Sequence, residues 1–143
     1  MKLLVCGGRV GIPQKAVDAV LDALAPSLSK PLTVIHGAAR QTDSYAGAWA
    51  RKRKHIEDAY PIDPALDGAT DDAPKMRNWR MAEQRPDAIL AFPGGPGTRN
   101  MIGIGQGKKI PIWDVELDEG QFNVYAWAKS PKERAKLIAS GSY

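Results

Sequence analysis

Short apolar runs alternate along the chain with longer stretches in which apolar residues recur at helical spacing. Leu3-Leu4-Val5-Cys6 is stopped by Gly7-Gly8, Leu32-Thr33-Val34-Ile35 follows Pro31 and stops at Gly37, and Ala88-Ile89-Leu90-Ala91-Phe92 follows Pro86 and stops at Pro93-Gly94-Gly95. Ile110-Pro111-Ile112-Trp113 follows Lys108-Lys109, and Ile56 to Pro61 is a weaker fifth run. Runs of four or five apolar residues bounded by turn residues suit strands buried on both faces. Between them, Ala16, Val17, Val20, Leu21 and Leu24 make one helical stripe, with Pro13 suited to its first turn. Tyr45, Ala46, Trp49 and Ala50 make a second, with Thr42 or Asp43 near its start. Met76 to Gln84 and Thr98 to Gln106 predict two more helices, and Ser130-Pro131 predicts the cap of a last one running through Ala139.

Strand–helix alternation of this kind predicts an α/β fold, a three-layer sandwich with helices on both faces of a mainly parallel five-stranded sheet. The 143 residues read as a single domain, a core over 2–113 followed by a C-terminal helical extension over 114–143. Ligands of such sheets sit beyond the carboxyl ends of the strands. The glycine-bearing junctions fall there: Gly7-Gly8-Arg9, Gly37-Ala38-Ala39-Arg40 and Pro93-Gly94-Gly95-Pro96-Gly97-Thr98. Glycine after a strand permits a sharp turn and lets a ligand approach the amides. A following helix turns unpaired N–H groups and the positive end of its dipole toward the same space, where phosphate is the usual occupant.

Composition changes this picture little. The 14 glycines and 11 prolines gather at the ends of apolar runs and so punctuate a fold rather than signal disorder. Cys6 is the one cysteine, which excludes an internal disulfide and suits a cytoplasmic setting. No apolar run reaches membrane-spanning length, and the apolar start is cut too soon by Gly7-Gly8-Arg9 to read as a signal peptide. The formal charge of +4 decides nothing. Ordinary nucleotide fingerprints fail: Arg9 and Ile12 stand where the dinucleotide motif needs glycine, and Gly103 to Lys109 is too short between glycines for a P-loop and ends in Lys.

Phe92-Pro93-Gly94-Gly95-Pro96-Gly97-Thr98 resembles the PGGxGT motif of the SLOG superfamily, which includes the Lonely Guy phosphoribohydrolases once misnamed lysine decarboxylases. Cys6-Gly7-Gly8-Arg9, His36 to Asp43 with Ala48-Trp49-Ala50, Met76-Arg77-Asn78 with Met81, and Pro86-Asp87 resemble most the YspA/YpsA-related branch, common in bacteria and phages. The resemblance covers roughly residues 2 to 113. It implies a Rossmann-like fold that binds a nucleotide or nucleotide-derived small molecule as a sensor or carrier. It also implies a homo-oligomer, such as a dimer. Carried over by motif position, Pro93, Gly94, Gly95, Gly97 and Thr98 cradle a phosphate, Arg77 with Asn78 contacts phosphate or ribose, and Gly7, Gly8, Arg9, Gly37, Ala38 and Asp43 line the same pocket.

Catalysis is less well supported than binding. The hydrolases continue the motif as PGGxGTxxE, and the glutamate position here is Met101. A phosphoribohydrolase acting on nucleoside monophosphates therefore needs another carboxylate. Asp43 is the candidate, with Arg77 assisting; helix N-capping is its alternative role. No cofactor and no metal site is expected. Asp63, Asp67 and Asp71 lack the third and last ligands of a calcium loop, so Ile62 to Ala73 reads as a solvated loop or a lid. The basic run Arg51-Lys52-Arg53-Lys54 reads as a solvated helix end in preference to a single-stranded nucleic-acid contact, and Trp49 and Trp113 read as core. Arg77 and Arg80 stand one helical turn apart and offer bidentate phosphate contacts.

Overall fold

The computed structural model describes residues 1–127 and 135–143. Its elements run β1 (Lys2–Cys6), α1 (Gln14–Leu24), β2 (Thr33–His36), α2 (Thr42–Lys52), β3 (Ile56–Ala59), α3 (Pro64–Asp67), α4 (Ala73–Ala82), β4 (Ala88–Ala91), α5 (Pro96–Gly107), β5 (Ile112–Asp118), β6 (Gln121–Ala126) and β7 (Lys136–Ser142). They build an α/β fold around one mixed, mostly parallel sheet of order β3-β2-β1-β4-β5-β6-β7. The first five strands are parallel, and the last two add as antiparallel neighbours. The order 3-2-1-4-5 is that of a doubly wound sheet, with its switch point between β1 and β4.

Period-two alternation divides the central strands between two apolar layers. Leu3 and Val5 of β1, with Ala88 and Leu90 of β4, pack with Val17, Val20 and Leu21 of α1 and Trp49 of α2. Leu4 and Cys6, with Ile89 and Ala91, face the other way onto Met81 of α4 and Met101 and Ile104 of α5. The whole α1 stripe is buried, as its spacing predicts. Pro13 stands at the N-cap in extended backbone (φ −75°, ψ 147°), one residue before the first turn.

The sheet has seven strands rather than five, because the chain after Trp113 forms a hairpin instead of a helical extension. Trp113 is half-buried near the start of β5, not at a strand end. Val115 and Leu117 alternate with Asp114, Glu116 and Asp118, the pattern of a half-exposed strand. Glu119 (φ 46°) and Gly120 (φ 79°) then both occupy the left-handed region, as a two-residue hairpin loop requires. Phe122 and Val124 of β6 return to the α1 side of the core. Lys136 to Ala139, expected as helix, belong to β7; the expected cap at Ser130-Pro131 lies outside the described residues. Helix boundaries also move: α5 starts at Pro96, two residues before its expected start at Thr98, and runs to Gly107. α4 begins at Ala73 because Pro74 fits its first turn, and it ends at Ala82, before Gln84.

Ile62 to Ala73 is not a simple solvated loop. It holds α3, whose Asp63 side chain accepts from Ala65 N at 2.9 Å. Asp67 is buried and takes Arg80 at 2.7 and 2.8 Å. That pair ties the segment to α4.

Candidate functional site

Three chain reversals meet above the carboxyl ends of β1, β2 and β4. At the switch point Gly8 N donates to Pro93 O at 2.8 Å, joining the first reversal to the third. This contact explains two glycines. A Cβ on Gly8 would lie 2.8 Å from Pro93 O, and one on Gly7 would lie 2.6 Å from Phe92 Cβ and 2.8 Å from Thr42. A Cβ on Gly94 would strike the Thr98 hydroxyl. Gly95 and Gly97 differ: a Cβ on either meets no atom within 4 Å. They stand at the N-cap and in the first turn of α5, and no described residue packs against them there.

The space over these residues is an open cavity of about 760 Å³. Its walls come from the β1–α1 loop (Gly7 to Ile12), from Asp43 of α2 with Ala39 before it, from Arg77, Asn78 and Met81 of α4, and from Pro93 to Thr98 with Met101 of α5. The fold thus brings Gly7, Gly8, Arg9, Asp43, Arg77, Asn78, Pro93, Gly94, Gly95, Gly97 and Thr98 to one place. Gly37 and Ala38 do not line it. Gly37 lies beneath the site, where a Cβ would come 2.7 Å from the Arg77 guanidinium carbon. Its hydrogen atom leaves room for Arg77 to cross the end of β2. Arg80 is committed to Asp67 and to Pro61 O, and lines nothing here.

Arg77 is buried and held at three points. Nη1 donates to Gly37 O and, at 3.2 Å, to Tyr60 O, while Nε donates to Asn78 Oδ1 at 3.1 Å. Nη2 has no protein partner among the described residues, and no sealed side-chain polar atom there lacks one. Nη2 is therefore open to solvent, and Arg77 is one of the residues that line the cavity. Burial lowers the Arg77 pKa, opposed by the charge of Asp43, and the guanidinium stays protonated. Asn78 Nδ2 donates to Asn100 Oδ1 at 2.9 Å, which steadies α4 against α5.

Asp43 is the one carboxylate among the described residues lining the cavity. It does not cap its own helix, since Gln41 is the N-cap and Asp43 lies one residue inside. Its Oδ2 accepts instead from Gly37 N and Ala39 N, each at 3.2 Å. Among the described residues Oδ1 has no hydrogen-bond partner, and so it opens to solvent. Burial raises the Asp43 pKa; the Ala39 N–H, His36, Arg77 and the Gly37 N–H oppose the rise.

The apolar floor is Cys6, Met81 and Met101. Burial pushes the Cys6 thiol well up, so it is no nucleophile. Met101 is 1% exposed.

Beneath the β2 end, sequence reasoning missed a supporting network. His36 Nδ1 accepts from Ala38 N at 3.0 Å, which leaves Nε2 as the donor to Glu57 Oε2 at 2.7 Å. Arg51 closes on the other Glu57 oxygen and is the main cause of that carboxylate's lowered pKa. Arg53 pairs with Asp22 at 3.0 Å, so carboxylates engage two of the four cations at Arg51–Lys54. No spacing rule links His36 to Glu57; only the pairing of β2 with β3 does.

No family model matches the sequence. Among solved structures, the chain is similar to selenomethionine PaaA at 14% identity and a TM-score of 0.52, over 94% of this chain and 46% of that one, a likeness of fold alone. A phosphoribosylglycinamide formyltransferase from Campylobacter jejuni aligns at 12% identity over 100% of this chain and 82% of its own, with a TM-score of 0.43. No described helix is long and apolar enough to cross a membrane. The Gene 61 protein of Mycobacterium phage D29 is 33% identical in an alignment of 121 positions that covers 78% of this chain and 93% of that protein. The chain belongs to the family of that phage protein.

Proposed function

We propose that the cavity binds a nucleotide-derived small molecule, as a sensor or carrier, with a phosphate on the amino end of α5. The observation that carries this is the pair Gly95 and Gly97. Both line the cavity, and neither glycine is needed for packing or for positive φ. Bare backbone there leaves the first N–H groups of α5 open to an anion. Arg77 Nη2 and Arg9 supply positive charge, and the free Asp43 oxygen suits a ribose hydroxyl. About 760 Å³ is within the range of small-molecule sites. The PGGxGT segment supports the same reading through its likeness to the SLOG superfamily.

Thermal shift and calorimetry with AMP, ADP-ribose, NAD and cyclic nucleotides test it. A ligand at a hundred times its Kd stabilises a protein by about 2.7 kcal/mol. Absence of any stabilisation at millimolar concentration removes the reading.

A second reading is favoured by the free Oδ1 of Asp43, whose raised pKa suits proton transfer. On it the chain cleaves the N-glycosidic bond of nucleoside monophosphates. Asp43 would donate the proton and Arg77 hold the phosphate. Release of free base, measured by chromatography, must then vanish in Asp43→Asn. Turnover that survives that change excludes Asp43 from the role.

A further inference from the structure

A second hollow of about 480 Å³ adjoins the cavity, lined by Arg9, Val10, Arg40, Gln41, Ser44 and Tyr45. Arg9 and Val10 belong to both spaces and form the ridge between them. The charges of this hollow are one-sided. Arg9 and Arg40 line it, and among the described residues no carboxylate does. Neither arginine makes a side-chain ion pair among the described residues, whereas Arg51, Arg53 and Arg80 all do. Beside Val10 and Gln41, the lining holds the Ser44 hydroxyl, which donates to Ala39 O at 2.6 Å, and the half-buried ring of Tyr45. The walls are also fixed in place. Gln41 Oε1 accepts from Ile12 N at 2.8 Å, and Thr42 Oγ1 donates to Gly8 O at 2.9 Å. These bonds clamp the β1–α1 loop to the start of α2 on either side of the ridge.

We infer that the two spaces form one bipartite site. Its ligand carries a second anionic group beyond the first phosphate, as a dinucleotide or a pyrophosphate-linked sugar nucleotide does. The first phosphate lies on α5 and the second crosses Arg9 toward Arg40. The inference rests on the proposed phosphate site and specifies the class of its ligand. A nucleoside monophosphate fills the first space alone and leaves Arg40 unused.

The test compares AMP with ADP-ribose and NAD by calorimetry, on the wild type and on Arg40→Ala. Arg40 is exposed and its side chain makes no hydrogen bond to the described residues, so the variant keeps the fold; thermal unfolding verifies this. The two-phosphate ligands should bind at least about tenfold tighter than AMP, in keeping with one added charge-assisted contact. Arg40→Ala should erase that advantage and leave the AMP affinity unchanged. Equal affinities for the one- and two-phosphate ligands overturn the bipartite site and leave the phosphate cradle standing. So does an equal loss for both in the variant. Absence of binding by all three overturns the cradle itself, and this inference with it.

Discussion

Gly97→Ala separates what the fold needs from what a ligand needs. Gly97 lies in the first turn of α5, and an added methyl meets no atom within 4 Å. Alanine in a helix is favoured over glycine by about 0.5–1 kcal/mol. Nothing in the packing offsets that gain. For a domain of this size, roughly 3–4 °C of melting temperature corresponds to 1 kcal/mol. The variant should therefore melt about 1–4 °C higher than the wild type by calorimetry. Its affinity for a phosphate-bearing ligand should move the other way, by about tenfold or more, because the methyl occupies the approach to the α5 amides. Gly8→Ala is the contrast. Its Cβ would sit 2.8 Å from Pro93 O, a backbone atom that cannot turn aside, so it should lose stability and binding together. Unchanged ligand affinity in Gly97→Ala would refute the phosphate position. A lowered melting temperature would refute the reasoning about free space.

Two further outcomes follow from the rest of the molecule. Arg80 holds the buried Asp67 carboxylate at about 2, below its ordinary 3.8, so the pair's contribution to stability is complete above the ordinary value and is lost as pH falls through about 2. Denaturant titrations from pH 5 to 2 should show a shallower acid loss in Asp67→Asn than in the wild type, and identical slopes would exclude the pair as a source of acid sensitivity. Phe122, at 3% exposure, seals the α1 layer from β6, and Phe122→Ala should cost about 3–5 kcal/mol by chemical denaturation; a loss under 1 kcal/mol would mean that the hairpin is an appendage to the core.

Strands β1, β2 and β4 and helix α1 were legible because each is a run with one period, whereas β3 holds two charged residues and β5 was legible only to Trp113. Leu3 to Cys6 and Ala88 to Ala91 are continuous apolar strands, and Ala16 to Leu24 is a clean helical stripe. The hairpin was misread for a physical reason. Ser130-Pro131 is a strong local helix-start signal, while the alternation from Trp113 to Asp118 is only half apolar and faces solvent on one side. Glu119-Gly120 was the missed turn signal; the acidic residue masked a loop in which both residues take positive φ. The site was legible in its glycines, since strand ends and helix starts are marked by them. Which glycines face open space was not. Gly7, Gly8 and Gly94 have the same sequence signature as Gly95 and Gly97, and only the neighbouring strand tells packing from vacancy. Charge pairing was equally hidden. Arg77 and Arg80 are equivalent by spacing, yet Asp67 claims one and the end of β2 positions the other.

The balance between binding and cleavage turns on where the cavity keeps its carboxylate. The hydrolases that the PGGxGT segment resembles carry an acid on the helix that follows it. Here that position is Met101, packed into the α4–α5 layer beside Cys6, Ile89 and Ile104. A glutamate there would have to be desolvated among apolar neighbours. The cavity's own carboxylate comes from α2, and two backbone N–H groups already hold its Oδ2. That leaves Oδ1 as a solvent-open acceptor on a residue that lines the cavity. An acceptor so placed suits a ribose hydroxyl whether or not a bond is later broken. Asp43→Asn distinguishes the uses, because the amide cannot serve as an acid or base: its one oxygen stays with the Gly37 and Ala39 N–H groups, and its NH2 can still donate to a ribose oxygen. Ligand affinity reduced only a fewfold, in a protein without turnover to lose, is the signature of a binding site. An affinity kept with turnover abolished is that of an enzyme whose acid has moved from α5 to α2.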